Sequence, residues 1–349
     1  MKYKSGLFFI LAFFLFVTLI VSTTGLYYFR YKWTSPIKNK EEHILIEISK
    51  GDTFNDVLNK LKQKNILKDT ILLYIMGKLT GAATKIKSGE FLINTRWSQK
   101  ELLRYLVEGP PYLHKVRILE GSTWWEVGEA LEKKGILKFS HFKIIIFDKD
   151  FLRANNIPGP NAEGYLYPDT YYFEKGDSLR HAKDVVEKMI DEFWKNVKIY
   201  VWKDKLPPLD EIYKIVILAS MVEKEALYDF EKPIIAGVFW NRLRKDMLLQ
   251  CDPTVIYGLG RNFDGNLKRR HLIDKTNRYN TYVYKGLPPT PICSPSIKSI
   301  IAAVHPARHS YLYFVAKGDG THYFSSSLKE HNIAVYRYQI RPHRRRNAN

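Results

Sequence analysis

Two glutamates near the middle of the chain are the residues whose types and surroundings best suit catalysis. Glu223-Lys224-Glu225 follows an almost wholly apolar stretch from Ile215 to Val222. A carboxylic acid beside apolar residues is placed to have a raised pKa, which a general acid needs near neutral pH. Residues two apart on a helix point roughly 200° apart, so the two acids cannot share one face. Periodicity alone does not decide which acid faces a cleft, and a solvated acidic helix end is the alternative interpretation.

Other catalytic and metal-binding patterns have little support in the sequence. There is no HExxH or CxxC motif, no paired Cys/His spacing, and no Walker or GxGxxG phosphate motif. Cys251 and Cys293 lie 42 residues apart. A catalytic cysteine with a distant histidine stays open, but no family signature marks either residue as a nucleophile. We therefore expect no metal or other cofactor.

The composition describes a large, folded and strongly basic chain. Its 349 residues are 45% hydrophobic and 14% aromatic, which excludes a mostly disordered protein. Two cysteines are too few for a fold that depends on a disulfide framework. The 55 Lys and Arg residues outnumber the 36 Asp and Glu residues and give a net charge of +19. This charge favours an anionic partner or surface.

An apolar run near the N-terminus predicts a membrane-spanning helix. Residues 6–29 contain no charged residue, and as a helix they would be about 36 Å long, enough for a hydrocarbon core of about 30 Å. Tyr27 and Tyr28 lie where an interfacial aromatic belt is expected. The alternative is a cleaved signal peptide with a cleavage site at Ser22–Gly25, but its apolar region would be shorter. We expect a single-pass membrane anchor.

The charges that flank this span do not determine its orientation. Lys2 and Lys4 precede the span, and four basic residues follow it: Arg30, Lys32, Lys38 and Lys40. The positive-inside rule is therefore balanced or adverse for a cytoplasmic N-terminus. A large C-terminal domain can nevertheless translocate largely regardless of charge.

The patterns divide the chain into six segments and predict the α+β fold class. A short N-terminus (1–5) and the span (6–29) lead into a polar linker (30–43). Two small mixed α/β segments follow at 44–110 and 111–155, and a mainly helical domain with a β-hairpin occupies 156–349. A Pro/Gly-rich loop over 155–164 marks the boundary before that last domain.

The two α/β segments contain an internal repeat with an offset of 70 residues. Nine positions between Ile48 and Lys68 are identical to the residues 70 positions later. Each copy predicts a short strand, a glycine turn and an amphipathic helix, with Thr53 and Thr123 as the helix N-caps. An ancestral duplication without a function of its own explains the repeat as well as a functional pair does.

Further elements follow from periodicity and cap residues. We expect a strand at Glu90–Ile93, a helix at Ser98–Val107, and strands at Tyr311–Ala316 and His322–Ser325 that form a hairpin. We expect helices at Ser178–Val201, from an Asp210 cap to about Glu225, at Pro233–Met247, and one that starts at Ser294-Pro295. Between Gln250 and Pro295 the chain is polar and turn-rich, and a loop region of this length usually carries a site.

A set of short strings resembles the endolytic murein transglycosylases, also called the YceG-like family. The matching strings occupy residues 163–171, 219–225, 238–243, 249–258, 279–282, 286–289, 305–306 and 311–315. Each string alone is weak, but their order and spacing also match and the set covers nearly the whole chain. Two departures, Thr290 and Ser294-Pro295-Ser296, fall where the family often has Gly and Asn-Pro-Gly. They put the local loop geometry in doubt and leave the acid unaffected.

The resemblance implies a reaction and a location. The family cleaves the β-1,4 bond between N-acetylmuramic acid and N-acetylglucosamine within glycan strands and leaves a 1,6-anhydro-muramyl end. One carboxyl group suffices, because it protonates the leaving oxygen and then takes the proton of the attacking muramyl O6. The resemblance also implies a LysM-like module at 44–110 and a catalytic domain on the outer side of the bacterial cytoplasmic (inner) membrane, with residues 1–5 in the cytoplasm.

The resemblance also suggests roles for individual residues. Glu225, the second acid of the pair, corresponds to the catalytic glutamate, and Glu223 becomes a supporting or structural acid. Six further residues match the Gln-x-Asp-Pro-Thr and Tyr-Asn-Thr-Tyr strings and are expected to line the cleft: Gln250, Asp252, Thr254, Tyr257, Asn280 and Tyr282. Loop scaffolding is the alternative interpretation for these six residues.

Three hypotheses on function differ in their partners. The first is a membrane-anchored lytic transglycosylase that acts on peptidoglycan strands, beside peptidoglycan synthases. The second is a non-catalytic peptidoglycan-binding scaffold that uses the repeated modules. The third is a nucleic-acid binder, suggested by the net charge and the Arg344-Arg345-Arg346 tail. The apolar span and the absence of RRM, KH or helix-turn-helix signatures argue against nucleic acid.

Overall fold

The computed structural model describes residues 2–203 and 205–341, so the arginine tail lies outside the described residues. The chain divides into two compact units, Met1–Leu113 and His114–Asn349. Both are mainly helical and contain small antiparallel sheets. The predicted α+β class is therefore confirmed.

The first unit begins with a single long helix, α1 (Lys2–Thr34). Its stretch Ile10–Thr34 is long and apolar enough to span a membrane, and large side chains such as Phe13 and Leu15 are exposed along it. The helix continues past the predicted span into the linker and ends just before Pro36, which cannot donate a helical hydrogen bond. The predicted N-terminal apolar helix is confirmed.

The rest of the first unit packs helices against a two-stranded sheet. Strands β1 (His43–Ile48) and β2 (Gly89–Asn94) pair antiparallel, with His43 opposite Asn94. Helices α2 (Phe54–Gln63), α3 (Ile71–Leu79) and α4 (Gln99–Glu108) complete the unit. The predicted strand over 90–93 and the helix capped by Ser98 are confirmed. Apolar residues from both strands and all three helices form its core, among them Ile46, Phe91, Leu61, Leu73 and Leu102.

The second unit begins with the second copy of the repeat. Its first elements are β3 (His114–Arg117), α5 (Trp124–Lys133), α6 (Phe139–Ile146), α7 (Lys149–Ala154) and β4 (Thr170–Phe173), and β3 pairs antiparallel with β4. This pairing crosses the 155–164 loop, and the residues of 111–155 share one hydrophobic core with those that follow. Segment 111–155 therefore does not form a core of its own.

The 70-residue repeat has a structural counterpart. Thr53 and Thr123 both cap their helices, each in a capping box with the acid three residues later. Gly51 and Gly121 both adopt the left-handed conformation of the preceding turn, with φ of 98° and 76°. Six matched pairs are buried in both copies: Ile46 and Val116, Ile48 and Ile118, Val57 and Val127, Leu61 and Leu131, Ile66 and Ile136, Leu67 and Leu137.

Helices and a hairpin make up the remainder of the second unit. They are α8 (Leu179–Val197) with a π-helical turn at Lys198–Trp202, α9 (Leu209–Glu225), α10 (Lys232–Arg244), α11 (Asp252–Leu259), α12 (Arg269–Leu272), α13 (Ile297–Val304), the strands β5 (Tyr313–Ala316) and β6 (His322–Ser325), and α14 (Leu328–Val335) with a second π-helical turn at Tyr336–Ile340. Helix α9 packs against α10, α11 and α13, and its residues from Ile215 to Val222 are buried. The predicted hairpin is confirmed.

Two predicted helix starts are wrong. Helix α9 begins at Leu209 after Pro208, so Asp210 lies in the first turn and is not the N-cap. Helix α13 is capped by Ser296, not by Ser294. The reason is tertiary: the backbone of Ser294 is held by hydrogen bonds with Gly121 and Ser122, at 2.8 and 2.7 Å.

Candidate active site

Glu225 is the last residue of α9, and its carboxyl group is partly withdrawn from water. Burial raises the pKa of Glu225 to about 7, partly offset by a hydrogen bond from the Cys251 thiol, while the nearby Asp252 carboxylate raises it further. The negative end of the helix dipole also disfavours the ionised carboxylate. The residue keeps partial exposure to solvent. Glu225 is therefore a reachable acid that holds its proton up to near neutral pH.

Glu223 has the opposite environment. Its Oε2 accepts hydrogen bonds from the Ser296 backbone N–H at 2.9 Å, the Ser296 hydroxyl at 2.5 Å and the Ser299 hydroxyl at 2.6 Å. It also forms an ion pair with Lys232 at 3.3 Å, and the two side chains are only 8% and 4% exposed. These bonds hold the start of α13 against the end of α9. Glu223 is thus fully engaged in structure.

The loop that follows α10 places Cys251 and the start of α11 next to Glu225. The backbone N–H of Gln250 donates to the Thr281 carbonyl at 3.1 Å, and that of Cys251 donates to the Thr281 hydroxyl at 2.9 Å. The hydroxyl groups of Thr254 and Thr281 form a further hydrogen bond, at 2.9 Å. These contacts set Cys251 and the start of α11 beside the acid.

Asp252 and Tyr282 form a polar pair at the same end of α11. The Tyr282 hydroxyl donates to Asp252 Oδ1 at 2.6 Å. Asp252 is exposed and Tyr282 is half-buried. Burial and the Asp252 carboxylate raise the pKa of the Tyr282 hydroxyl above its ordinary value. Because Asp252 also acts on the pKa of Glu225, the three groups share one electrostatic environment.

Gln250 is held by a buried arginine that the sequence analysis did not single out. Arg242 is 7% exposed and donates to the carbonyls of Leu248 and Leu249 at 3.1 and 2.9 Å. It also donates to Gln250 Oε1 at 3.2 Å. Gln250 itself is exposed and adopts a left-handed backbone, with φ of 49°. The only feature of the sequence that could have indicated a role for Arg242 is its position in the 238–243 string.

Thr254 and Asn280 lie beneath the surface and are fully buried. Asn280 Nδ2 donates to three backbone carbonyls, those of His271, Leu272 and Asp274, at 2.9 to 3.1 Å. Its Oδ1 accepts from the Tyr282 backbone N–H at 3.0 Å. For these two residues the geometry corresponds to the scaffolding alternative, since their polar atoms are occupied by the loop itself.

Tyr257 lies further along α11 and contacts an acid that the sequence analysis did not select. Its hydroxyl donates to Glu163 Oε2 at 3.0 Å, and the Trp124 backbone N–H donates to the same oxygen at 3.0 Å. Burial raises the pKa of Glu163 to about 8. The Tyr257 ring packs between Trp125 and Tyr279, with centroids 5.1 and 4.9 Å away.

Glu163 also carries a buried oxygen, Oε1, without a hydrogen-bond partner among the described residues. Glu163 is the first residue of the 163–171 string, and its place in that string was the only indication of a role in the sequence. A glutamate before Gly-Tyr-Leu-Tyr does not by its type indicate that its side chain is buried.

The structure brings three residues together around Glu225: Cys251, Asp252 and Tyr282. It places Tyr257 in a separate aromatic cluster with Glu163, and it places Glu223 in the contact between α9 and α13. Within the part of the chain that the structure describes, no group of three or more His, Cys, Asp or Glu side chains is arranged to hold a metal ion.

Comparisons with known proteins define the family. The sequence pattern of the YceG-like family matches residues 46–337, and the chain belongs to this family, which confirms the resemblance drawn from its motifs. The chain is 30% identical to the endolytic murein transglycosylase of Bacillus subtilis (strain 168), over 86% of each protein. It is 26% identical to the protein of that name in Streptococcus pneumoniae (strain ATCC BAA-255 / R6), over 94% of this chain and 64% of the relative.

A solved structure is also similar. The crystal structure of a yceG-like protein from Listeria monocytogenes superposes with a TM-score of 0.55 at 30% sequence identity. The match covers 84% of this chain and 99% of the Listeria chain.

Proposed function

We propose that this chain is an endolytic lytic transglycosylase that cleaves the β-1,4 bond between N-acetylmuramic acid and N-acetylglucosamine inside peptidoglycan strands. Two relatives that carry the name endolytic murein transglycosylase align over most of this chain and support this reaction. The product carries a 1,6-anhydro-muramyl end, and cleavage limits the length of nascent strands.

One observation carries the proposal: Glu225 is a partly accessible acid whose pKa is raised to about 7 by burial. Such a group is protonated often enough to act as an acid and ionised often enough to act as a base near neutral pH. Glu223 is the other acid of the pair. Both of its carboxyl oxygens accept hydrogen bonds from Lys232, and one also accepts from Ser296, so neither is available to a substrate.

The reaction needs this single carboxyl group twice. Glu225 donates its proton to the glycosidic oxygen while the bond from the muramyl anomeric carbon to that oxygen breaks, and positive charge develops on the sugar ring. The resulting Glu225 carboxylate then takes the proton of the muramyl O6 hydroxyl as O6 bonds to the anomeric carbon. Atoms balance without water, and the acid returns to its protonated state.

The neighbours of Glu225 supply charge and contacts. Asp252 presents a carboxylate near the acid, and such a charge stabilises a developing positive sugar ring. Tyr282 orients Asp252 through its 2.6 Å hydrogen bond. We propose that exposed Gln250 and Asp252 and half-buried Tyr282 contact sugar hydroxyls and acetamides, while Thr254, Asn280 and Tyr257 position the loops behind them.

The anchor and the first unit extend the proposal. Helix α1 would hold the chain in the bacterial cytoplasmic membrane with the body on the outer side, near nascent strands and the enzymes that synthesise them. The order strand, helix, helix, strand at β1–α2–α3–β2 with antiparallel pairing supports a LysM-like, glycan-binding role for 44–110.

Mass spectrometry of strand fragments tests the proposal. The full chain in detergent is incubated with purified uncrosslinked glycan strands, beside Glu225→Gln and Glu223→Gln. We expect internal fragments with 1,6-anhydro ends from wild type and from Glu223→Gln, and at least a hundredfold less product from Glu225→Gln.

Three other results would contradict parts of the proposal. Reducing ends instead of anhydro ends would indicate a hydrolase with a second carboxylate. Strand binding without cleavage by the folded wild type would favour the scaffold hypothesis. Cleavage that survives Glu225→Gln and is lost in Glu223→Gln would assign the acid to the other member of the pair.

A further inference from the structure

Helix α3 has an unusual surface for a short helix beside solvent. Its sequence, Ile-Leu-Leu-Tyr-Ile-Met-Gly-Lys-Leu, contains one charged residue in nine. One side packs inward through Leu73 and Gly77, the latter against the Phe54 ring. The opposite side exposes four large apolar or aromatic residues at helical spacing: Ile71 (65%), Tyr74 (41%), Ile75 (42%) and Leu79 (77%). A helix that is apolar all round is normally buried, in protein or in lipid.

Helix α3 faces the part of α1 where the apolar span ends. A cavity of about 730 Å³ is lined by Tyr28, Phe29 and Lys32 of α1 and by Ile71 and Ile75 of α3. Both helices belong to the first unit. In α1 the uncharged run stops at Phe29 and Arg30 follows. Tyrosine and the first basic residue after such a run typically mark the boundary between hydrocarbon and lipid headgroups.

This arrangement places Ile71 and Ile75 of the exposed α3 face at a defined depth. If α1 spans the bilayer as proposed, Tyr28 and Phe29 lie at the headgroup boundary, and the residues across the cavity from them lie at the same level. A nine-residue helix is about 13 Å long, too short to span a bilayer but long enough to lie in its interface.

The charges around α3 suit a lipid surface. Lys68, Lys78 and Lys85 are exposed on and beside the helix, and Lys68 lines the same cavity as Ile71. Lysine side chains next to an apolar face bring their ammonium groups to anionic headgroups while the apolar residues enter the acyl boundary.

We propose that α3 is a second membrane-contact element. Its residues Ile71, Ile75 and Leu79 insert into the interface of the leaflet in which the apolar span of α1 ends. This inference rests on the proposed membrane anchor. The helix would then fix the first unit on the lipid surface instead of leaving it tethered by α1 alone.

Site-specific fluorescence on the full chain tests this inference. Leu79→Cys, Asn59→Cys and Leu15→Cys are each labelled with the environment-sensitive dye NBD and reconstituted into vesicles of phosphatidylcholine and phosphatidylglycerol. Asn59 is an exposed residue of α2 that does not line the cavity, and Leu15 lies in the middle of the apolar span. Wild type treated with the dye measures labelling of the two buried native cysteines.

The expected result is a difference between the two exposed positions of the first unit. We expect aqueous iodide to quench the dye at position 79 about threefold less than at position 59, and doxyl-labelled lipid to quench it strongly, as for an interfacial helix. Equal iodide quenching at 79 and 59 with position 15 protected would overturn the inference and leave the anchor standing. Iodide access at position 15 would overturn the anchor and the inference with it.

Discussion

Glu223 and Glu225 lie two residues apart at the end of α9, and their carboxyl groups meet opposite surroundings. Glu223 accepts three hydrogen bonds from Ser296 and Ser299 and pairs with Lys232. Glu225 contacts the Cys251 thiol, and burial raises its pKa to about 7. One acid is therefore engaged by structural partners, and the pKa of the other is raised by burial. This difference separates a structural glutamate from a catalytic candidate, and it makes the two residues matched controls for one another.

The rate of strand cleavage should fall as pH rises through the pKa of Glu225. The donor form is protonated below about pH 7, so above that pH the rate should decrease about tenfold per pH unit. Initial rates of anhydro-end formation between pH 5.5 and 9 measure the profile. Glu223→Gln should show the same midpoint because it does not carry the proton. A rate that stays constant up to pH 9 would remove Glu225 as the proton donor.

Glu223→Gln should destabilise the second unit more than Glu225→Gln does. The substitution leaves the Lys232 ammonium, only 4% exposed, without its buried counter-charge, and breaking a buried pair by removing one partner costs about 3 kcal/mol or more. Asp229 also contacts Lys232 at 3.1 Å and should reduce the loss. Chemical denaturation at pH 7 compares the free energies of unfolding of the two variants. Equal values would contradict the structural role of Glu223.

Glu163→Gln should flatten the pH dependence of stability. Burial raises the pKa of Glu163 to about 8, so the folded chain keeps a proton that the unfolded chain releases between about pH 4.5 and 8. Stability contributed by this group therefore decreases as pH rises across that window. From pH 5.5 to 8.5 the wild type should lose about 3 kcal/mol more than the variant.

The comparison works because a glutamine amide oxygen can keep the hydrogen bonds from Trp124 and Tyr257. Glu225 has a raised pKa of the same sign, but it is present in both proteins and cancels in the difference. Denaturation in detergent at the two pH values measures the effect. Parallel pH dependences for wild type and variant would show that Glu163 is ionised in the folded chain.

Asn280→Ala and Tyr282→Phe should distinguish a residue that stabilises the loop from a residue that contacts substrate. Asn280 is fully buried and satisfies three backbone carbonyls, so its loss should cost about 2 kcal/mol of stability and reduce activity through disorder of the loop. Tyr282→Phe removes only the hydrogen bond to Asp252. It should leave the melting temperature nearly unchanged and lower kcat. The reverse pattern would place Asn280, not Tyr282, in contact with substrate.

The repeated caps should be worth similar free energies in the two units. Thr53→Ala and Thr123→Ala each remove one capping box, and loss of such a cap typically costs about 1 kcal/mol. Hydrogen exchange of α2 and α5 reports the two effects separately. The serine variants Thr53→Ser and Thr123→Ser should retain most of the stability. A change at one position alone would mean that the two copies do not use their caps alike.

Local features of the fold could be predicted because neighbouring residues encode them. The uncharged run of α1, the caps at Thr53, Ser98 and Thr123, and the apolar spacing of α8 are each contained in a short stretch of chain. The predicted starts of α9 and α13 failed for the complementary reason. Ser294 is a good cap by type, but distant residues, Gly121 and Ser122, hold its backbone through hydrogen bonds.

The motifs and their spacing were enough to predict the family, the pair of candidate acids and the loops that accompany them. The contacts of the folded chain were needed to find that Glu223 is engaged by partners up to 76 residues away and that Glu225 lies against Cys251. They also revealed Glu163 as a second acid whose pKa is raised by burial. The physical reason is that the pKa of a carboxyl group depends on loss of water and on nearby charges and donors. In this protein those neighbours come from remote segments that only the folded chain brings together.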